Sequence, residues 1–138
     1  MQKFYLVWDD SRHILGIASI DRQHRELVDR VNELAEAVEH GHDFDQLRQR
    51  MEGIFDFTRQ HFSHEEALMR EHGFPGMEQH AAEHAELLSK AATLMQSLNP
   101  DKPIRVMLIT AFLTDCVERH IQQEDVALVQ HLLGKGLS

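Results

Sequence analysis

The chain has 138 residues, 42% hydrophobic and 27% charged, the balance of one ordinary globular domain long enough to bury a core. Its formal net charge of −9, with no Lys/Arg cluster, disfavours phosphate backbones and anionic lipid heads, so neither nucleic acid nor membrane is expected as a partner. A single cysteine, Cys116, excludes an internal disulfide and a thiolate zinc site; with no apolar run of about 20 residues and no signal-peptide pattern at the start, the expected location is the cytoplasm.

Strand-like alternation is almost absent, and Gly and Pro fall between periodic segments. Residues 1–18 show little periodicity and read as an N-terminal arm that packs Phe4, Tyr5 and Trp8 against the helical body of the chain. A first helix is predicted from Ile20 to His40, with Ser19 or Asp21 as N-cap and Gly41 as the stop. Its inner stripe is Ile20, His24, Leu27, Val31, Leu34 and Val38. The second runs from Phe44 to Glu71 before Gly73, with Leu47, Met51, Ile54, Thr58, His61, Glu65 and Leu68 facing inward. Met77, His80, His84, Leu87, Ala91, Leu94 and Leu98 mark a third, bounded by Pro75-Gly76 and Asn99-Pro100. The fourth starts at Pro103 and runs to Leu133, burying Val106, Ile109, Leu113, Cys116, His120 and Leu128. Long helices joined by short turns fold back as neighbours. The expected fold is all-α, an up-down-up-down antiparallel four-helix bundle over residues 19–133, with the whole chain as one domain.

Eleven histidines are a heavy load for this length, and His24, His61, His80, His84 and His120 sit, with Glu65, on core stripes. One such histidine would be read as a hydrogen-bonded core residue. Six polar residues spread over all four helices are different, because burying each without a partner costs about 1–3 kcal/mol, a total comparable to a domain's stability. A shared metal site is the economical compensation. The pairs His61/Glu65 and His80/His84 are each four apart, so each projects from one helix face. His120 has two acidic companions, Glu124 and Asp125; a regular helix prefers Glu124, since a five-residue step turns about 140° away. Spacing leaves that choice open, and it only weakly disfavours His64 and Glu66 as donors. Imidazole and carboxylate without thiolate suit iron, copper, zinc, nickel or manganese, and six or seven donors point to a two-metal centre.

The segments Gly16-Ile17, Ile20-Asp21-Arg22-Gln23-His24, His61-Phe62-Ser63-His64-Glu65-Glu66, Phe74-Pro75, His80-x3-His84 and His120-Ile121-x3-Asp125 together resemble the hemerythrin family, in its single-domain bacterial form. The resemblance spans nearly the whole chain. It implies two iron ions with a bridging hydroxide or oxide, His80, His84 and His120 on one ion, His24 and His61 on the other, and Glu65 and Asp125 bridging both. It favours Asp125 over Glu124, which requires a local widening of the helix near His120. His13, His40, His42, His64, His72 and His131 are then not ligands, and most of them are expected at the surface or at helix ends. Five imidazoles, two bridging carboxylates and one bridging hydroxide leave one position open, on the ion with two histidines, where dioxygen is expected to bind end-on and reversibly. A dry apolar pocket that includes Leu113 and Val117 is expected to protect it. Nitric oxide is a second candidate gas, an oxygen-using enzyme or a signalling protein the candidate protein partner, and the chain is expected to be a monomer.

Three positions depart from the pattern. Cys116 stands where similar proteins usually carry Trp, Leu128 where Tyr is frequent, and Phe74 where Tyr is common. Cys116 is expected to be an inert core residue. Oxygen storage, delivery and sensing are alike in sequence. The enzyme alternative, a di-iron oxidase of the ferritin-like type, needs Glu-x-x-His on two helices, and the chain offers only Glu39-x-x-His42, at a helix end. No catalytic residue is therefore assigned.

Overall fold

The structure, a computed structural model, describes residues 5–138. It contains six α-helices: α1 (Asp10–His13), α2 (Ala18–Glu39), α3 (Phe44–Glu71), α4 (Met77–Gln96), α5 (Ile104–Arg119) and α6 (Val126–Gly134), with a π turn, His120–Glu124, joining the last two. No strand occurs among the described residues. Four long rods make the bundle: α2, α3, α4, and α5 continued through the π turn into α6. α2 packs between α3 and α5, α3 packs against α4, and α4 touches α5 more sparsely.

Local chemistry accounts for where the rods begin and end. Asp43 and Gln46 form a reciprocal capping box that starts α3. Gly41 and Gly73 adopt φ of 68° and 62°, the left-handed backbone that ends α2 and α3 and that side-chain-bearing residues avoid. The start of α2 differs from expectation. Neither Ser19 nor Asp21 caps it; Ile17 occupies the cap without a side-chain bond. The Asp21 carboxylate instead accepts from the backbone amides of Leu15 and Gly16 at 2.8 and 3.0 Å, pinning the turn that leads into the helix.

The arm is also more structured than its sequence suggests. Asp9 caps the short helix α1, and Leu6 and Trp8 pack on the core. The Tyr5 hydroxyl donates to Glu39 at 2.8 Å, while Phe4 lies outside the described residues. His13, expected near the surface, is fully buried. Its Nδ1 accepts from the Asp9 amide at 2.9 Å, its Nε2 faces Glu118 at 3.1 Å, and its ring stacks on Trp8. These contacts clamp the arm to the far helix, a long-range pairing that no local pattern encodes.

The apolar residues divide into two clusters. One is built from Leu27, Val31, Leu34, Met51, Ile54, Val106, Ile109, Val117 and Ile121. The other gathers Ile17, Ile20, Met69, Leu128, Val129 and Leu132. Chain order explains the gap between them. Moving along α2 one meets Ile20, then His24, then Leu27; along α3, Ile54, then His61 and Glu65, then Met69; along the fourth rod, Val117, then His120 and Asp125, then Leu128. A polar layer thus crosses the bundle between two greasy plugs. On α4 only His80 and His84 are fully buried, and the remaining apolar residues of its stripe are half-covered.

Candidate metal centre

Each rod contributes to the polar layer: His24 from α2, His61 and Glu65 from α3, His80 and His84 from α4, His120 and Asp125 from the fourth rod. All seven are buried. They form two groups whose donor atoms lie within 4.8 Å of one another: His24, His61, Glu65, His120 and Asp125 in one, Glu65, His80, His84 and Asp125 in the other. Glu65 and Asp125 belong to both. His120 groups with His24 and His61, although its Nε2 also lies 3.6 Å from the Glu65 oxygen that faces His84. The family resemblance implies His120 on the ion of His80 and His84; its ring centroid stands 5.1 Å from that of His61 and 5.6 Å from that of His84. None of His13, His40, His42, His64, His72 or His131 joins either group.

The π turn decides which acidic residue enters. The Asp125 amide bonds to the His120 carbonyl at 3.0 Å, one residue longer than an α-helical step, so the backbone widens and Asp125 turns inward. Its Oδ2 lies 2.8 Å from His120 Nε2 and 2.7 Å from His24 Nε2, and its Oδ1 lies 3.0 Å from His80 Nε2. Glu124 is no bystander. Its Oε1 sits 3.1 Å from His120 Nδ1, on the outer side of the same ring.

Two other imidazoles are held in the same way. His84 Nδ1 donates to Glu66 Oε2 at 3.0 Å, and His61 Nδ1 to Gln23 Oε1 at 2.7 Å. Carboxylate and amide oxygens only accept, so each of these rings carries its proton on Nδ1 and aims Nε2 into the layer. Phe62 stacks flat on His84, with ring centroids 3.7 Å apart, and fixes its plane. Spacing had marked Glu66 and Glu124 only as rival donors, and Gln23 and Phe62 not at all. Their partners stand on other helices, or on the outer face of a ring, where periodicity is blind.

Short distances do not mean that the layer is satisfied. Both Glu65 oxygens, Asp125 Oδ1, His80 Nε2 and His84 Nε2 are buried without a hydrogen bond. They approach one another at 3.0–3.5 Å without the alignment of one. Lone pairs aimed at a common centre, not at each other, are what a cation requires. The donor chemistry fits as well: imidazole and carboxylate, no thiolate, and more donors than one four-coordinate ion can use.

Charge coupling is strong. Burial opposes ionisation of Glu65, yet His120 and His61 hold its carboxyl well below the usual range. Asp125 is likewise lowered against its burial, chiefly by His120. Burial opposes the charge of His80 too, but Asp125 and Glu65 outweigh it and push the imidazole up to about 9. His120 is raised in the same sense. Metal-free protein therefore carries protons where cations would sit. The His80 contribution to stability is complete below its ordinary value of 6.5 and is lost as pH rises through about 9. Chelator-treated protein is accordingly expected to melt at a lower temperature at pH 9.5 than at pH 7. An unchanged midpoint would show that this ion pairing does not stabilise the fold.

Next to the layer, a cavity of about 50 Å³ lies between α2, α3, α4 and α5. Leu27, Phe62, Leu113, Cys116 and Val117 are among its walls, and His120 closes one side. Burial raises the Cys116 thiol above its ordinary range, so it is a lining group, not a reactive thiolate. Leu128 is fully buried in the second apolar cluster, and Phe74 packs edge-on to His80.

Comparison with known proteins agrees with this architecture. A bacteriohemerythrin of Stenotrophomonas maltophilia is 30% identical over 122 residues, covering 88% of this chain and 78% of that protein. One from Methylococcus capsulatus is 24% identical over 120 residues, 87% of this chain and 91% of the relative. The crystal structure of a wild-type hemerythrin has the same fold, with a TM-score of 0.79 at 24% identity over 92% of this chain and 97% of that one. The family model described as the hemerythrin HHE cation binding domain matches residues 15–132, so the polar layer and all but the last two residues of the four rods lie within the match and the chain belongs to the hemerythrin family.

Proposed function

We propose that this protein binds dioxygen reversibly at a non-haem di-iron centre held by His24, His61, Glu65, His80, His84, His120 and Asp125. The sharing of Glu65 and Asp125 by both donor groups carries this reading, because two carboxylates common to two sites are what a bridged pair of cations needs. The iron pair would supply the electrons that hold the gas.

The chain's own residues do the rest. Glu66, Glu124 and Gln23 keep the ring protons of His84, His120 and His61 on Nδ1, leaving Nε2 free to coordinate. Phe62, Leu113 and Val117 exclude water beside His120, which limits proton delivery to the site and favours release of the gas unchanged. Every polar side chain of the layer is assigned to holding the ions or orienting their ligands. None is left over as a nucleophile or general acid, which favours binding over catalysis.

Iron-supplemented expression should yield about two irons per chain by elemental analysis, since seven donors with two shared bridges suit that count. Reduced anaerobic protein should gain a visible absorption band in air and lose it when oxygen is removed. One zinc and no iron per chain would overturn the di-iron reading. Two irons with substrate turnover and no reversible band would favour an oxidase.

A further inference from the structure

The outer faces of α2, α3 and α4 carry ion pairs one turn apart: Arg25–Asp29 and Glu26–Arg30, Arg48–Glu52, and Glu86–Lys90. The first three turns of α5 are different. Residues 103–114 include a single charged side chain, Arg105, in a chain of net charge −9. Ile104, Met107 and Leu108 stand 65%, 46% and 64% exposed, at helical spacing on one face, and half-buried Ala111 and Phe112 continue the stripe, Phe112 also lining the cavity beside the polar layer. Single exposed apolar residues are ordinary on a surface, but a contiguous stripe stripped of charge is the mark of an interface core.

The charges flanking the stripe indicate what covers it. Asp101 and Lys102 precede it, half-buried Arg105, which also donates to the Ser97 carbonyl at 2.8 Å, lies at its start, and the exposed pair Asp115–Arg119 closes its far end. Laid antiparallel on a second α5, with the two-fold axis level with Thr110, the stripe sets Leu108 against Phe112, Arg105 against Asp115, and Asp101 against Arg119. Each charge then meets its opposite, and the helix dipoles oppose favourably. A parallel pairing would set Asp115 against Asp115.

We propose that α5 is the contact face of a two-fold symmetric homodimer, joined by this antiparallel helix pair. This departs from the monomer expected of the sequence. One helix pair buries less than the roughly 1,200 Å² typical of a stable complex, so the association should be weak and concentration-dependent. The contact is isologous, so it closes at two copies.

Sedimentation of the full chain, as purified with its metal, over about 10 to 500 µM tests this. The weight-average mass should rise from 16.0 kDa toward twice that value. Leu108→Glu, at a position too exposed to disturb the core, should remain monomeric throughout with an unchanged circular dichroism spectrum. Asp115→Arg should raise the dissociation constant about tenfold, and Arg105→Glu with Asp115→Arg should bring it back to within about threefold of the wild type. A monomer at every concentration would overturn the proposal, as would a Leu108→Glu protein that dimerises normally or growth beyond two copies. Failure of the charge swap to restore association in folded protein would overturn the antiparallel register.

Discussion

Asp125→Ala is expected to lower the iron content from about two per chain to one or none, while Glu124→Ala keeps both ions. The two residues are adjacent, both acidic and both within reach of His120, so the contrast isolates geometry from charge. Asp125 is fully buried and presents one oxygen to His24 and His120 and the other to His80. Removing it takes a donor from each group at once and leaves a hole between imidazoles. Glu124, 23% exposed, reaches only the outer nitrogen of His120. Its loss removes an orienting partner, not a donor, and such losses typically weaken metal affinity about 10- to 100-fold. The Glu124→Ala protein should therefore load fully and then surrender iron to a chelator faster than wild type. Glu124→Gln, which keeps an accepting oxygen, should recover most of the difference. If Asp125→Ala retains two irons under the same challenge, the bridging assignment fails.

Metal removal should lower the melting midpoint by about 20 °C or more at pH 7. The layer places five imidazoles and two carboxylates between two apolar clusters, with both oxygens of Glu65 unbonded. Without cations the groups must share protons at imperfect angles, and several kcal/mol of coordination free energy is lost from the folded state alone. For a domain of this size each kcal/mol shifts the midpoint by about 3–5 °C. Helix content should survive at low temperature, because both apolar clusters remain. Iron-loaded protein should also lack the alkaline loss of stability expected of the metal-free form, since an imidazole bound through Nε2 has already given up the proton that the charged metal-free ring would release. Equal midpoints for the two forms at matched pH would mean that the His–carboxylate pairs satisfy the layer by themselves.

Periodicity and punctuation in the sequence determined the four rods and their order, as well as which residues point inward. His24, His61, Glu65, His80, His84 and His120 were legible because they interrupt apolar stripes at helical spacing, and a stripe is a local property of the chain. Their number and type made a shared metal site the economical compensation for their burial. Residues whose role depends on another segment were not legible. Spacing alone turns Asp125 outward on a regular helix, five residues from His120; the family resemblance favoured it nonetheless, and the π turn of the folded backbone is what brings that carboxylate into the layer. Gln23, Glu66 and Phe62 act on rings from other helices. Asp21 looks like a cap but is drawn to the amides of the preceding turn. His13 looks like a surface residue until the arm folds onto Glu118, more than a hundred positions away. The stripe of Ile104, Met107 and Leu108 on α5 drew no reading from the sequence, and only the packing of α2 and α4 on the other side of that helix shows it bare. Spacing along one helix fixes angles about that helix alone; the distance between two helices, and therefore every pairing across the bundle, is set by how their faces pack.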